Sequence, residues 1–171
     1  MGTAARSAIR EDARIRTMTP RIFSQAELYD LPRDKAILLS VKAIILESGK
    51  ALLLHSTDAH LHWELPGGLV DLRENLEDGL KREVREETTL EIEIGKILGV
   101  GDMWRLGFRF KDGTVRDIRV IEIIYQCRKL SESIALSKEH DKYRWATKDD
   151  MASLQMFPQH QSAAENALAS H

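Results

Sequence analysis

Hydrophobic residues recur along the first half of the chain in runs that predict a strand hairpin and a short third strand. Residues 36–47 are rich in Ile, Leu and Val, a Ser-Gly pair supplies a turn, and residues 50–55 are again apolar. Apolar runs of this length, bounded by turn residues, are typical of buried strands. Residues 62–65 predict a third strand, which ends at a Pro-Gly-Gly turn at residues 66–68, where backbone freedom replaces side chains.

The clearest helical pattern lies between residues 75 and 88. Every fourth residue from Leu76 to Val84 is apolar, and charged residues occupy most of the other positions. This is the period of an amphipathic helix. Asn75, with Asp78 three positions later, is typical of a helix N-terminus in which a side chain caps the first turn.

Apolar and polar residues alternate again in the second half of the chain. Residues 90–100 and 114–125 predict two more strands, and residues 143–145 predict a short strand after a polar loop. Two helical segments follow, one capped by Thr147 together with Asp150, and one containing Ser162 and Glu165 and running to the C-terminus. Strands and helices mixed in this order predict one layered domain of the α/β or α+β class.

The length of 171 residues suits one domain with a substantial core. Hydrophobic residues make up 43% and charged residues 30% of the chain, which is typical of a folded globular protein. The first residues show little apolar periodicity. We therefore predict a partly flexible N-terminal arm at residues 1–34 and a folded domain at residues 35–171.

The charge balance excludes a bulk positive field, because 25 Lys and Arg residues face 27 Asp and Glu residues. We therefore expect neither a nucleic-acid polymer nor a membrane surface as a partner. The longest apolar stretch, residues 36–46, is too short to span a bilayer. Cys127 is the only cysteine, so an internal disulfide is excluded and a cytoplasmic location is predicted. A homodimer formed through the arm or a strand edge is compatible with the sequence, which does not decide it.

The candidate chemistry lies on the predicted helix. Glu83, Glu86 and Glu87 stand at positions i, i+3 and i+4, so their Cβ atoms lie about 5–6 Å apart on one face. Like charges this close repel one another unless a cation offsets them, and oxygen-only ligands select Mg²⁺ or Mn²⁺. The alternative is a solvated acidic face neutralised by Arg82 and Arg85, and for an isolated acidic helix this is the commoner case.

The residues before the helix make the chemical interpretation more specific. Gly67 and Gly68 leave bare backbone beside the acidic face, and Glu74 precedes Arg82 at a distance that lets its carboxylate fold back onto the guanidinium. The segment resembles the box of the MutT-like Nudix hydrolase family, G-x5-E-x7-R-E-U-x-E-E-x-G-U, where U is aliphatic. The matching positions are Gly68, Glu74, Arg82, Glu83, Val84, Glu86, Glu87 and Leu90.

One position departs from this pattern, because Thr89 stands where the family has glycine. A β-branched residue in the left-handed conformation would cost about 1–2 kcal/mol. We therefore expect the helix to end in another geometry, with an altered stability and unaltered chemistry.

The resemblance implies an α/β fold in which a mixed β-sheet is sandwiched between α-helices, with residues 35–171 as the Nudix domain. It implies hydrolysis of a small nucleotide derivative, a nucleoside diphosphate linked to another group. Depending on that group, the implied substrate is a nucleotide-sugar, an ADP-ribose-like compound, a dinucleotide polyphosphate or a nucleoside triphosphate. The alternative is an inactive Nudix-fold module that binds a nucleotide or a protein.

The resemblance also implies roles for individual residues. The implied ligands of Mg²⁺, or of Mn²⁺ in its place, are Glu83, Glu86, Glu87 and the carbonyl of Gly68. Arg82 is implied in catalysis, with Glu74 supporting it through a salt bridge. Glu139 resembles a loop glutamate that some members use as a metal ligand or base, and a plain surface role is equally compatible. Which of Glu83, Glu87 and Glu139 deprotonates the attacking water stays open at this point.

The substrate side is less specific. Trp104, Arg109 and Arg119 could stack a base and pair with phosphates from strands next to the box. Aromatic residues in such strands are more often core residues, and arginines more often lie on solvated faces. The subtype markers known downstream of the box are missing here, so the sequence leaves the subtype open.

Overall fold

The structure, a computed structural model, describes residues 35–57, 62–110 and 112–170, so the predicted arm at residues 1–34 lies outside the described residues. In chain order the elements are β1 (Lys35–Glu47), β2 (Lys50–Ser56), β3 (Trp63–Glu64), α1 (Leu76–Thr88), β4 (Ile92–Arg109), β5 (Val115–Lys129), β6 (His140–Ala146), α2 (Lys148–Met151) and α3 (Pro158–Ala169). In the described part of the chain, no helix is long and apolar enough to cross a membrane.

The six strands form one mixed sheet in the order β3-β2-β1-β5-β4, and β6 pairs with β2. Strand β1 runs parallel to β5, with Ser40 opposite Glu122, whereas β1 pairs with β2 only at the hairpin end. Where β2 diverges, the turn after β3 takes its place. The Val41 N–H donates to the Gly68 carbonyl at 2.9 Å, and the Ala43 N–H donates to the Pro66 carbonyl at 2.8 Å. The candidate turn is thereby fixed along the middle of β1.

Helices cover both faces of the sheet. Leu80 and Val84 of α1 pack on the face of β1 that carries Val41, Ala43 and Ile45. The opposite face of the sheet packs against α3. The buried residues there include Ile44, Leu53 and Ile124 of the strands and Ala164 of the helix. The prediction of a mixed sheet sandwiched between helices is therefore confirmed.

Helix α1 matches its prediction closely because its signals are local. It begins after Asn75, whose side chain accepts a hydrogen bond from the Asp78 N–H. Two other predicted boundaries were too narrow. Strand β4 continues to Arg109 because it pairs with β5 over almost its whole length. Helix α3 begins at Pro158, where the missing N–H and fixed φ of proline suit the first helical position.

The prediction for the end of α1 was wrong, because Thr89 does adopt the left-handed conformation, with φ 62° and ψ 2°. Its N–H donates to the Arg85 carbonyl at 2.8 Å. Its hydroxyl oxygen lies 3.2 Å from the Ser133 carbonyl and accepts a hydrogen bond from the Ala135 N–H at 3.2 Å. These bonds tie the helix end to the segment before β6, and they offset the conformational cost that the sequence argument considered alone.

Candidate active site

Arg82 joins the loop before α1 to the acidic face of the helix. Its guanidinium donates to both carboxylate oxygens of Glu74, with Nε at 3.0 Å from Oε2, and to the Leu69 carbonyl at 3.1 Å. It also donates to Glu83 Oε1 at 2.7 Å. Hydrogen bonds from Arg82 lower the pKa of Glu74 to about 2. The predicted support of Arg82 by Glu74 is therefore present as a bidentate pair.

The Pro-Gly-Gly turn brings backbone into direct contact with the helix. Gly67 has a φ of +122°, and a Cβ on it would collide with the Val41 carbonyl oxygen. A Cβ on Gly68 would lie 2.6 Å from Glu83 Oε2. The Gly67 N–H donates to Glu87 Oε2 at 2.7 Å. A side chain is therefore excluded at Gly67 by the backbone of β1, and at Gly68 it would displace the Glu83 carboxylate.

The three carboxylates of the box differ in their surroundings. Glu86 is 61% exposed, Glu83 is largely buried, and Glu87 is only 6% exposed. Burial raises the pKa of Glu83, although Arg82 opposes the rise. Burial raises the pKa of Glu87 to about 7, against the opposing effects of Lys42 and the Gly67 N–H. The ionised forms of two of these groups are therefore disfavoured in the metal-free site.

The donor chemistry of this face suits a divalent cation. Within residues 35–57, 62–110 and 112–170, no three His, Cys, Asp or Glu side chains are already arranged to hold a metal. Glu83 is turned to Arg82, and Glu87 to the Gly67 N–H. The donors are nevertheless hard oxygens beside bare glycine backbone, and two of them lack sufficient compensating positive charge. A dication would supply that charge.

A buried polar network lies beneath the turn, and the sequence analysis missed it. Lys42 Nζ donates to Glu64 Oε2 at 3.2 Å and to the Gly67 carbonyl. His140 Nε2 lies 3.4 Å from Glu64 Oε1 and 3.9 Å from Glu87 Oε1. Burial opposes ionisation of Glu64, but Lys42 and His140 hold its pKa far below the ordinary value. Lys42 stands in an apolar run, so the sequence carried no signal that its side chain is buried.

These groups line a cleft of about 1120 Å³. The box residues form part of its lining, and Glu122 of β5 forms another part together with Phe157 and His160. Arg105 also lines the cleft, with its guanidinium 5.7 Å from the centroid of the Phe157 ring. The cleft therefore combines the acidic face of α1 with mixed polar and apolar residues from β5 and the start of α3.

The predicted substrate-binding residues do not all lie in this cleft. Arg109 lines it, and the exposed Glu139 lies on its rim. Trp104 is 62% exposed and stacks on the guanidinium of Arg119, with 5.6 Å from the ring centroid to Cζ. Because side chains alternate along a strand and Arg105 faces the cleft, Trp104 points to the opposite face of the sheet. Arg119 opposes it across the strand pair.

Comparison with known proteins identifies the family. A family model described as the NUDIX domain matches residues 37–167. The chain belongs to the Nudix family. Residues 68–90 carry the family's box pattern. In this chain, that segment forms the Arg82–Glu74 pair and packs against the glycine turn.

Several relatives support this assignment. A MutT-like protein from Streptomyces ambofaciens is 30% identical over 109 residues, which is 64% of this chain and 62% of that protein. The nucleoside triphosphatase NudI from Escherichia fergusonii is 33% identical over 92 residues, which is 53% of this chain and 64% of that protein. The matched part of this Nudix chain therefore spans less than two thirds of the length of these curated relatives.

Solved structures agree with the fold. The crystal structure of the MutT protein from Methanosarcina mazei Go1 has a TM-score of 0.63 and 27% identity, and the match covers 81% of this chain and 97% of that one. A MutT NUDIX hydrolase from Burkholderia pseudomallei has a TM-score of 0.62 and 24% identity, covering 75% of this chain and 96% of that one. The second similarity is one of fold alone.

Proposed function

We propose that this chain is a divalent-metal-dependent hydrolase that cleaves the pyrophosphate bond of a nucleoside diphosphate linked to another group. The observation that carries the proposal is the assembled box. Arg82 is clamped by Glu74, and the acidic face of α1 lies directly against the glycine turn. The names of the relatives, a nucleoside triphosphatase among them, support the same class of reaction.

The proposed ligands of Mg²⁺, or of Mn²⁺ in its place, are Glu83, Glu86, Glu87 and the carbonyl of Gly68. When bound, such an ion neutralises phosphate oxygens and lowers the pKa of water. Arg82 fixes the position of Glu83, and Lys42 fixes the turn through the Gly67 carbonyl. These contacts hold α1 and the glycine turn next to each other, and Glu83 and Glu87 must turn from their present partners to bind the ion.

The chain must also accept a proton from the attacking water. A carboxylate with a pKa near neutrality is a suitable general base at physiological pH. Burial raises the pKa of both Glu83 and Glu87 in the metal-free site, that of Glu87 to about 7, and we propose these two residues for the role. Glu139 lies on the cleft rim, and we keep it as a third candidate.

We propose a small nucleotide as the substrate, not a polymer. The net charge is −2, so phosphate groups can be bound only where positive charge is concentrated locally. Arg109 is the proposed phosphate or base contact, since it lines the cleft. Trp104 and Arg119 stay predictions, and so do the homodimer and the cytoplasmic location.

The proposal is tested by measuring Mg²⁺-dependent product release from a panel of nucleotide-sugars, dinucleotide polyphosphates and nucleoside triphosphates. We expect turnover by the wild type and its loss in Glu86→Gln, since Glu86 is exposed and its substitution leaves the packing intact. Glu77→Gln is the matched control, because Glu77 is exposed in the first turn of the same helix and lies outside the box ligands. Nucleotide binding without any turnover would instead favour the binding module.

A further inference from the structure

Glu122 is a buried carboxylate in the cleft wall that belongs to no part of the Nudix box. It lies on β5 and is 3% exposed. His160 Nε2 lies 3.2 Å from its Oε2, and Gln159 Nε2 donates to the same oxygen at 3.1 Å. The three residues come from two elements, and two of them line the cleft. A buried carboxylate held by two donors from a packed helix is a built feature of this site.

Hydrogen bonds from the described part of the chain reach only one oxygen of this carboxylate. Among the residues that the structure describes, both donors reach Oε2, and no hydrogen bond is donated to Oε1. Burial opposes ionisation of Glu122, but the bonds from His160 and Gln159 keep its pKa below the ordinary value. Burial lowers the pKa of His160, so its ring is neutral and its Nε2 must carry the proton to donate to Glu122. An ionised acceptor is thus available to a ligand in the cleft.

The position of Glu122 relative to the box fits a nucleotide. Ser40 of β1 is opposite Glu122 on one side and bridges to Leu69 on the other. Two strand spacings, about 10 Å, therefore separate the backbone at Leu69 from that at Glu122. Met103 and Val120, also in the cleft wall, give apolar surface beside the carboxylate. This separation lets a nucleotide place its phosphates at the box and its base at Glu122, with the ribose between them.

We propose that Glu122, held by His160 and Gln159, forms a binding subsite for a nucleobase edge that carries an amino group. The inference rests on the proposed function for the placement of the phosphates. A carboxylate oxygen accepts N–H donors and repels carbonyl oxygens. It therefore selects guanine, adenine or cytosine, which carry amino groups on their pairing edges, over hypoxanthine or uracil, which present a carbonyl or C–H group at the same positions.

The test measures binding of nucleoside monophosphates, because these have no pyrophosphate bond and cannot be turned over. GMP and AMP are each compared with IMP, and CMP with UMP, by titration calorimetry on the full chain in the presence of Mg²⁺. We expect the amino-bearing member of at least one pair to bind about tenfold more tightly, as a hydrogen bond to a charged group allows. In Glu122→Gln, the preference falls to within about twofold. Equal affinity within all three pairs in the wild type overturns the proposal.

Glu93→Gln is the matched control, because Glu93 lies on β4 with an exposed side chain paired to Arg128, and the wild-type preference is expected to persist in it. If Glu122→Gln fails to fold, the wild-type comparison still decides. The proposed function fails separately. A base preference without hydrolysis of any pyrophosphate substrate contradicts the hydrolase and leaves the subsite in place, whereas hydrolysis without a base preference contradicts only the subsite.

Discussion

Replacing Glu87 by glutamine should make the metal-free protein more stable and abolish its activity. Glu87 is 6% exposed, and burial raises its pKa from an ordinary value of 4.5 to about 7. In the unfolded chain the group therefore ionises at lower pH than in the folded protein. Above pH 7 both states are ionised, and the folded state is destabilised by about 3 kcal/mol, since one pH unit corresponds to about 1.4 kcal/mol.

Glutamine removes this penalty because it is neutral, has nearly the same shape and keeps an oxygen that accepts the Gly67 N–H, now 2.7 Å from Glu87. We expect Glu87→Gln to raise the free energy of unfolding by about 1–3 kcal/mol at pH 8. The gain should decrease as the pH falls from 7 towards 4.5, because the wild-type side chain then becomes protonated in the folded state and no longer carries a buried charge.

The assay is urea unfolding of chelator-treated protein at pH 8 and at pH 5, followed by circular dichroism. Glu86→Gln is the control, because its side chain is 61% exposed and a surface substitution changes stability by about 0.5 kcal/mol at most. A Glu87→Gln protein that is less stable than the wild type at pH 8, or whose gain is the same at both pH values, would refute the reasoning. Activity lost in a more stable protein cannot be ascribed to misfolding.

Two further predictions concern backbone positions. Gly67→Ala should lower the free energy of unfolding by more than about 2 kcal/mol, because φ is +122° and the Cβ would collide with the Val41 carbonyl. The control is Gly49→Ala, which has φ +72° and open space around the Cβ, and which should lose only about 1 kcal/mol in the same urea assay. Thr89→Val should lower the free energy of unfolding by about 1–2 kcal/mol, because it keeps the left-handed conformation without the hydroxyl bonds. Thr89→Gly should change it by less, since relief of the backbone strain offsets the lost bonds. Equal losses in both variants would contradict this account.

The features that the sequence predicted correctly are those whose causes lie close together along the chain. Helix α1 is specified by a four-residue apolar period within its 13 residues and by the cap at Asn75 directly before them. The pairing of Glu74 with Arg82 follows from a fixed spacing across one loop. Strand β4 was predicted too short because its later part is stabilised by pairing with β5, which alternation within the strand does not reveal.

The features that the sequence did not predict depend on contacts between distant segments. Lys42 lies in an apolar run of β1, and its partner Glu64 is 22 residues away. Glu122 and His160 are 38 residues apart. A charged residue within an apolar strand is compatible with either a solvated face or a buried pair, and only the packing of the sheet decides. Thr89 shows the same limit, because its left-handed conformation is accompanied by bonds to Ser133 and Ala135, which are distant along the chain.

The distribution of charge beneath the cleft explains why the least favourable buried charge lies on helix α1. Lys42 is a buried ammonium that attracts three carboxylates, those of Glu64, Glu87 and Glu122. Lys42 and neighbouring hydrogen-bond donors hold the pKa values of Glu64 and Glu122 below their ordinary range, despite burial. Of these three carboxylates, only that of Glu87 has a raised pKa. Lys42 and the neighbouring donors compensate Glu64 and Glu122 more fully than Glu87, so the unfavourable charge lies on the carboxylate beside the glycine turn, where a bound dication would supply the missing positive charge.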